Sequence, residues 1–260
     1  AALGINASTV HRRIAALEEA LGAELFLRDP RGYALTNVGE SIVERAVEVE
    51  EAVLALERAA VGHDQTASGP VSLTLPPSLV SVVAPEVAAA CEQCPGLRPT
   101  LYADPRLLEI GAEADIALRP SYDPPSAAVG RRIGTIGWCI YGAADADDAP
   151  WIAYSGPSLS VLQEWQHRAL SDAHVLLEVT NVEAMHRTLS GVRARGALPC
   201  YVGDPAPGLV RHGELLEEAR IPLWLLVHAD LRRSARVRAL LDHLGPRLEA
   251  LAPLLSGEVS

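Results

Sequence analysis

The sequence predicts an α/β chain in two parts. A small helical head with a β-wing and a long linker helix comes first, then a larger domain of strands and helices. Three observations carry that expectation. Residues 6–39, NASTVHRRIAALEEALGAELFLRDPRGYALTNVG, combine helical periodicity, a glycine stop and two β-prone runs about a turn. Residues 36–60 repeat apolar side chains at alternating four- and three-residue steps. Beyond residue 70, strand-like and helix-like runs alternate, the pattern of βαβ units in a parallel sheet with helices on its faces.

In the head, Asn6 is placed as an N-cap, its side-chain oxygen accepting from the amide of Ser8 or Thr9. Val10, Ile14, Leu17 and Leu21 form one apolar stripe, and Ser8, His11, Arg12 and Ala15 occupy the opposite face. Gly22 ends the helix, as a residue free to take positive φ does. Leu25–Arg28 and Tyr33–Leu35 read as strands around the turn Asp29-Pro30-Arg31-Gly32. A helix-turn-helix followed by such a wing sets one helix in a DNA major groove with an arginine-tipped hairpin beside it. Ala7, Ser8, Thr9, His11, Arg12 and Arg31 are the expected DNA-contacting residues.

Thr36 is the expected N-cap of a helix running to about Ala60. Its seam is Ile42, Ala46, Val49, Val53, Leu56 and Ala60, flanked mostly by glutamate. At 1.5 Å per residue this helix is about 36 Å long, and a stripe so narrow finds its partner in a second copy of itself. A homodimer places two recognition helices on successive turns of one DNA face, which calls for an inverted-repeat site in double-stranded DNA.

Residues 61–69, VGHDQTASG, read as a hinge. Strands are then expected at Val71–Leu75, Arg98–Tyr102, Asp115–Leu118, Ile136–Tyr141, Trp151–Tyr154, Val175–Val179, Leu198–Val202 and Ile221–Val227. Helices are expected at Leu79–Cys94, Pro105–Ile110, Ser158–Leu170, Val182–Arg195 and Ser234–Leu251. The domain limits are 1–60 for head and linker helix, 61–69 for the hinge, and 70–260 for the remainder. That remainder divides into one lobe of 70–140 plus 230–260 and another of 141–229.

The chain has 260 residues, 49% of them hydrophobic and 21% charged. It shows no long apolar run and no signal-peptide pattern, so it reads as a cytoplasmic protein with no membrane partner. The net charge of −11 is unevenly spread. Residues 1–36 balance four arginines against four carboxylates, and residues 37–60 set two arginines against six glutamates. Phosphate attraction is local, within about 8 Å at physiological salt, so Arg12 and Arg31 can hold DNA while the rest of the chain is acidic.

The head, AALGINASTVHRRIAALEEALGAELFLRDPRGYALTNVGE, resembles that of the LysR-type transcriptional regulators. It has their paired alanines, capped helix, LE–LG–LF run, arginine-tipped wing, and LT before a glycine. Asn6-Ala7 stands where the family has Ser-Gln, and His11 where it has serine; both positions face DNA. The resemblance implies a further helix before Ala1, so a partial sequence is expected. It extends through EADIALRP (113–120) and WLLVHADLRRSARVRALLDHLGPRL (224–248). It implies a two-lobed effector domain like a periplasmic binding protein, a small ligand between the lobes, and tetramers built of two dimers.

In open α/β sheets a ligand sits beyond the carboxyl ends of strands, against helix N-termini. That reasoning selects Ser78 and Leu79, Arg119, Thr180 and Asn181, and Pro199. Together they suit a small carboxylated effector, Arg119 pairing bidentately with it. Ser78 and Asn181 serve equally as plain caps, and Arg119 as the partner of a nearby glutamate. Cys91 and Cys94 form a CxxC, but without a second pair or spaced histidines they read as incidental thiols, and no metal site is expected. The chain shows no nucleophile elbow, phosphate-binding glycine loop or paired carboxylates, so neither an enzyme nor a cofactor is expected. The sequence therefore reads as a DNA-binding regulator sensing a small effector. The alternative is a periplasmic-type solute-binding protein with a vestigial head.

Overall fold

The computed structural model describes residues 7–29, 32–62, 67–104, 108–155 and 160–258. The chain divides into two units, Ala1–Glu57 and Arg58–Ser260.

In the first unit, α1 (Ala7–Leu21) leads to β1 (Phe26–Asp29), β2 (Gly32–Leu35) and α2 (Asn37–Gly62). Gly22 takes φ +65° and so ends α1 in the left-handed region that its missing Cβ permits. β1 and β2 pair antiparallel, with Phe26 opposite Leu35 and Arg28 opposite Tyr33. Thr36 is the N-cap of α2: its Oγ1 accepts from the Gly39 amide at 2.9 Å and donates to the Glu24 carbonyl at 2.8 Å. Gly39 is required there for a second reason, because an added Cβ would run into the Leu25 carbonyl oxygen. The turn at Pro30 and Arg31, and the expected cap at Asn6, lie outside the described residues.

The second unit holds two mixed sheets. The first contains β3 (Gly69–Leu75), β4 (Leu97–Ala103), β5 (Ile116–Pro120), β6 (Ala128–Ile136) and β12 (Ile221–His228), in the order β4-β3-β5-β12-β6. α3 (Val80–Gln93) and α7 (Ala235–Ala250) supply Val83, Val87, Val237, Leu240 and Leu244 to the same core as Leu73, Ile116, Leu118 and Leu225. Each such side chain contributes about 1.5–3 kcal/mol when fully buried.

The second sheet is built from β7 (Trp138–Gly142), β8 (Trp151–Tyr154), β9 (Val175–Val179), β10 (Arg195–Pro199) and β11 (Val210–Arg211). Its order is β11-β7-β10-β8-β9. Its helices are α4 (Ser160–Ala169), α5 (Val182–Leu189) and the single turn α6 (Cys200–Gly203), and α8 (Ala252–Ser256) closes the chain. Leu162, Met185 and Leu189 bury their side chains with Ile152 and Leu198.

Five expectations are corrected. The sheets are not wholly parallel: β12 runs antiparallel to β5 and β6, and β7 antiparallel to β10 and β11. In the second sheet the segment 143–150 that joins β7 to β8 holds no helix and is too short for the crossover that returns a strand parallel. In the first, β12 enters between β5 and β6 from the other lobe, running against both. The run read as one strand at Ile136–Tyr141 is two, β6 and β7, which break at Gly137 and belong to different sheets. A Cβ at Gly137 would meet the Ser256 carbonyl oxygen, so only glycine lets the chain cross there beside α8. The second chain crossing follows β11, so residues 221–228 pair with the first lobe rather than with 141–229. Finally, Leu198–Val202 is not a strand throughout; it turns helical at Cys200 after Pro199. Of the expected helix at Pro105–Ile110, residues 105–107 lie outside the described residues, and 108–110 are not helical.

Candidate DNA-binding head and interlobe site

The head exposes the side chains that a DNA-reading surface needs. Ser8, His11 and Arg12 are exposed on α1, and Thr9 is half-buried. His11 stacks obliquely on Tyr33 of the wing, with ring centroids 5.3 Å apart, and Phe26 meets Tyr33 edge-on at 6.4 Å. The helix and wing are therefore held as one surface through an aromatic contact. A second fastening went unread in the sequence: Glu18 Oε1 accepts from the amides of Leu25 (2.7 Å) and Phe26 (3.2 Å). A glutamate eight residues before the strand gives no signal of that role. Arg31 lies outside the described residues, as does the side chain of Ala7.

The linker helix presents its seam to solvent within the single chain. Val49 is 64% exposed, Val53 51% and Leu56 73%; Ala46 is also exposed and Ile42 half-buried. Three exposed aliphatic side chains in register at heptad spacing are an uncovered apolar face.

At the junction of the two lobes, Ser78 is half-buried in the 3₁₀ turn Pro77–Leu79 that follows β3. Its Oγ lies 2.8 Å from the hydroxyl of Tyr201, on α6 of the other lobe. α5 also rests against this turn. Asn181 caps α5, its Oδ1 accepting from Ala184 N at 2.8 Å, and both Asn181 and the neighbouring Thr180 are exposed. Leu79 is fully buried and Pro199 is buried beside α6, so both shape the site from behind rather than offering it polar atoms. Tyr201 is buried, which pushes its phenol pKa upward and keeps it a neutral hydrogen-bonding hydroxyl. Tyr201 is not legible as a site residue in the sequence, because the run Leu198–Val202 reads as strand.

Arg119 is placed differently from the rest of the expected set. It is 8% exposed and donates from Nη2 to the Leu108 carbonyl at 2.6 Å. Its strand neighbours Ile116 and Leu118 face the main core, whereas Arg119 shares the opposite face with Ala117 and packs under the 108–114 segment. Burial alone lowers its pKa, and no described carboxylate is paired with it.

Below α6 lies a further polar group, built on the buried Tyr141 and reaching the surface at Asp204. Asp204 accepts from Tyr141 Oη at 2.6 Å and from Arg211 Nε and Nη2 at 2.7 and 2.6 Å; Arg211 also donates to the Gly257 carbonyl. The fork fixes α6 against β7, β11 and the chain end, and so holds Tyr201 in place. Among the described residues no helix is long and apolar enough to cross a membrane.

Comparison with known proteins agrees with both halves. The model of the bacterial regulatory helix-turn-helix protein, lysR family, matches residues 1–40, and that of the LysR substrate binding domain matches residues 64–249. The chain is 26% identical over 273 residues to a probable HTH-type transcriptional regulator LtrA of Klebsiella pneumoniae, spanning 95% of this chain and 88% of that one. A probable hydrogen peroxide-inducible genes activator of Mycobacterium xenopi is 38% identical over 104 residues, 40% of this chain and 55% of that protein. Among solved structures, the LysR-type regulator CrgA from Neisseria meningitidis aligns with a TM-score of 0.57 at 20% identity, covering 95% of this chain and 91% of that one. Full-length AphB of Vibrio cholerae aligns with a TM-score of 0.55 at 18% identity, covering 92% and 89%. Those two likenesses show a shared fold. With family models matching its head and most of its remaining length, the chain belongs to the LysR family of bacterial transcriptional regulators, which are not enzymes.

Proposed function

We propose that this regulator binds an inverted-repeat operator in double-stranded DNA as a homodimer or a tetramer of two dimers, acting in the cytoplasm. The DNA-contacting set is Ala7, Ser8, Thr9, His11 and Arg12 from α1, with Arg31 at the wing. The dimer seam is Ile42, Ala46, Val49, Val53 and Leu56. The observation that carries this reading is the exposed heptad face of α2, with Leu56 73% exposed. Burying that face against a second copy removes apolar surface from water at about 25 cal/mol per Å². Sedimentation and footprinting test it. A dimer protecting two half-sites on one face of the duplex is expected, and a monomer protecting one site contradicts it.

The effector in this reading is a small carboxylated molecule seated between the lobes. Three neutral donors support that: the free hydroxyl hydrogen of the Ser78–Tyr201 pair, the Thr180 hydroxyl and the Asn181 amide. Leu79 and Pro199 form the wall behind them. Hydrogen bonds to an ionised acceptor are roughly twice as strong as neutral ones, so a carboxylate is held without an arginine. Arg119 takes the structural part of holding the 108–114 segment. The ligand acts by binding one lobe arrangement more tightly than the other, changing how two dimers are spaced on DNA. Footprints with and without a panel of small carboxylic acids test this. A footprint and DNA bend unmoved by every acid that binds would contradict the mechanism.

A further inference from the structure

A second place in the effector domain carries chemistry that neither DNA binding nor the interlobe site uses. A groove of about 460 Å³ opens on the first lobe between edge strand β6, the turn at residues 229–233 and α7. That volume falls in the range of small-molecule sites, roughly 300–1,000 Å³.

Its floor is apolar. Leu225 and Val227 of β12 stand opposite Arg131 and Val129 of β6, and Leu241 of α7 closes the far side. Gly130 keeps β6 close to β12, since an added Cβ would strike the Leu225 carbonyl oxygen. Its walls are cationic: Arg131, Arg232 and Arg238, against one carboxylate, Asp242. The Arg131 guanidinium lies over Gly245, where a Cβ would displace it, and reaches Glu249 at 3.3 Å. Arg232, Arg238 and Asp242 are exposed, and among the described residues their side chains have no hydrogen-bond or ion-pair partner.

The groove is charged against the trend of the chain. Three arginines and one carboxylate line the groove, in a sequence of net charge −11. Like charges brought round one space repel unless an anion enters it. A bare phosphate surface would need no apolar floor, and a purely apolar ligand would waste the guanidinium groups.

We propose that this groove binds a small organic anion, a carboxylate carried on an apolar body, at a site separate from the interlobe one. The carboxylate takes the fork of Arg232 or Arg238, and the body lies on Val129, Val227 and Leu241. All lining residues belong to one lobe, so binding here needs no lobe closure. β6 leads directly through Gly137 into β7 of the other lobe, which places the groove beside a strand on which the lobe crossing depends.

The test is methyl NMR of the full chain titrated with hexanoate, hexanol and inorganic phosphate. Hexanoate is expected to move the Val129, Val227, Leu225 and Leu241 methyl signals saturably, with hexanol and phosphate at least tenfold weaker. The double variant Arg232→Gln/Arg238→Gln, which alters only exposed side chains, is expected to weaken hexanoate at least tenfold. Tyr201→Phe, which alters the interlobe site, should leave that titration unchanged. Unmoved methyls, equal binding of hexanol or of phosphate, or an unweakened double variant would each overturn the proposal.

Discussion

Ser78 Oγ and Tyr201 Oη lie 2.8 Å apart and join the turn after β3 of one lobe to α6 of the other. Either hydroxyl can donate. The bond spans 123 residues of sequence and sits where a ligand between the lobes would have to engage it or break it.

Removing that bond should loosen the lobes measurably. Tyr201→Phe leaves the ring packing intact and costs one neutral hydrogen bond, about 1 kcal/mol. Urea unfolding of the variant and the parent chain reads this directly. An unchanged midpoint at equal slope would show that the bond contributes nothing to the domain.

The two arginines of the head should behave differently on DNA. Arg12→Ala on α1 is expected to weaken operator binding most strongly on the preferred sequence. Arg31→Ala, as a phosphate contact, should weaken all sequences about equally and reduce the salt slope by about one. Binding isotherms at several salt concentrations separate the two. A change of base preference in Arg31→Ala would show that it reads bases.

Charge placed on the linker seam should separate the protomers. Leu56→Glu puts a carboxylate at the most exposed aliphatic position among the described side chains of α2. A monomer with an intact helical spectrum is expected in sedimentation, with operator affinity reduced at least tenfold. A dimer of unchanged stability would move the association surface elsewhere.

What was legible in the sequence was local. Gly22 and Thr36 announce helix ends by themselves, because positive φ and a side-chain cap are decided within a few residues. The heptad of α2 was legible for the same reason. Pairing between distant segments was not. That β12 slots antiparallel between β5 and β6 depends on a crossing at Gly137 that a run of apolar residues conceals. Arg119 stands at a strand end in the sequence, but the sheet face it points from decides its partner, and that face is covered by residues 108–114. Tyr201 is hidden in the sequence because Leu198–Val202 reads as one apolar strand, whereas Pro199 ends the strand and a helical turn follows.

The four thiols should divide into two classes. Cys139 and Cys200 are buried, and burial raises both pKa values, that of Cys139 to about 11; Cys91 and Cys94 are half-buried. A thiol whose folded pKa is raised stays neutral in the native state, so its contribution is intact below the unfolded value near 9 and is lost as pH rises through about 11. Iodoacetamide at pH 8 followed by mass spectrometry should therefore find Cys91 and Cys94 modified and the other two protected. Stability should fall between pH 9 and 11. Rapid native-state labelling of Cys139 would contradict its burial.

The most direct test of the account is selection of bound fragments from random and genomic duplexes. Enrichment of an inverted repeat, its half-sites about one helical turn apart, is the predicted result. It should weaken with Arg12→Ala and with Leu56→Glu. No enrichment over random DNA by a chain shown to be dimeric would contradict the claim that this regulator reads an operator through α1.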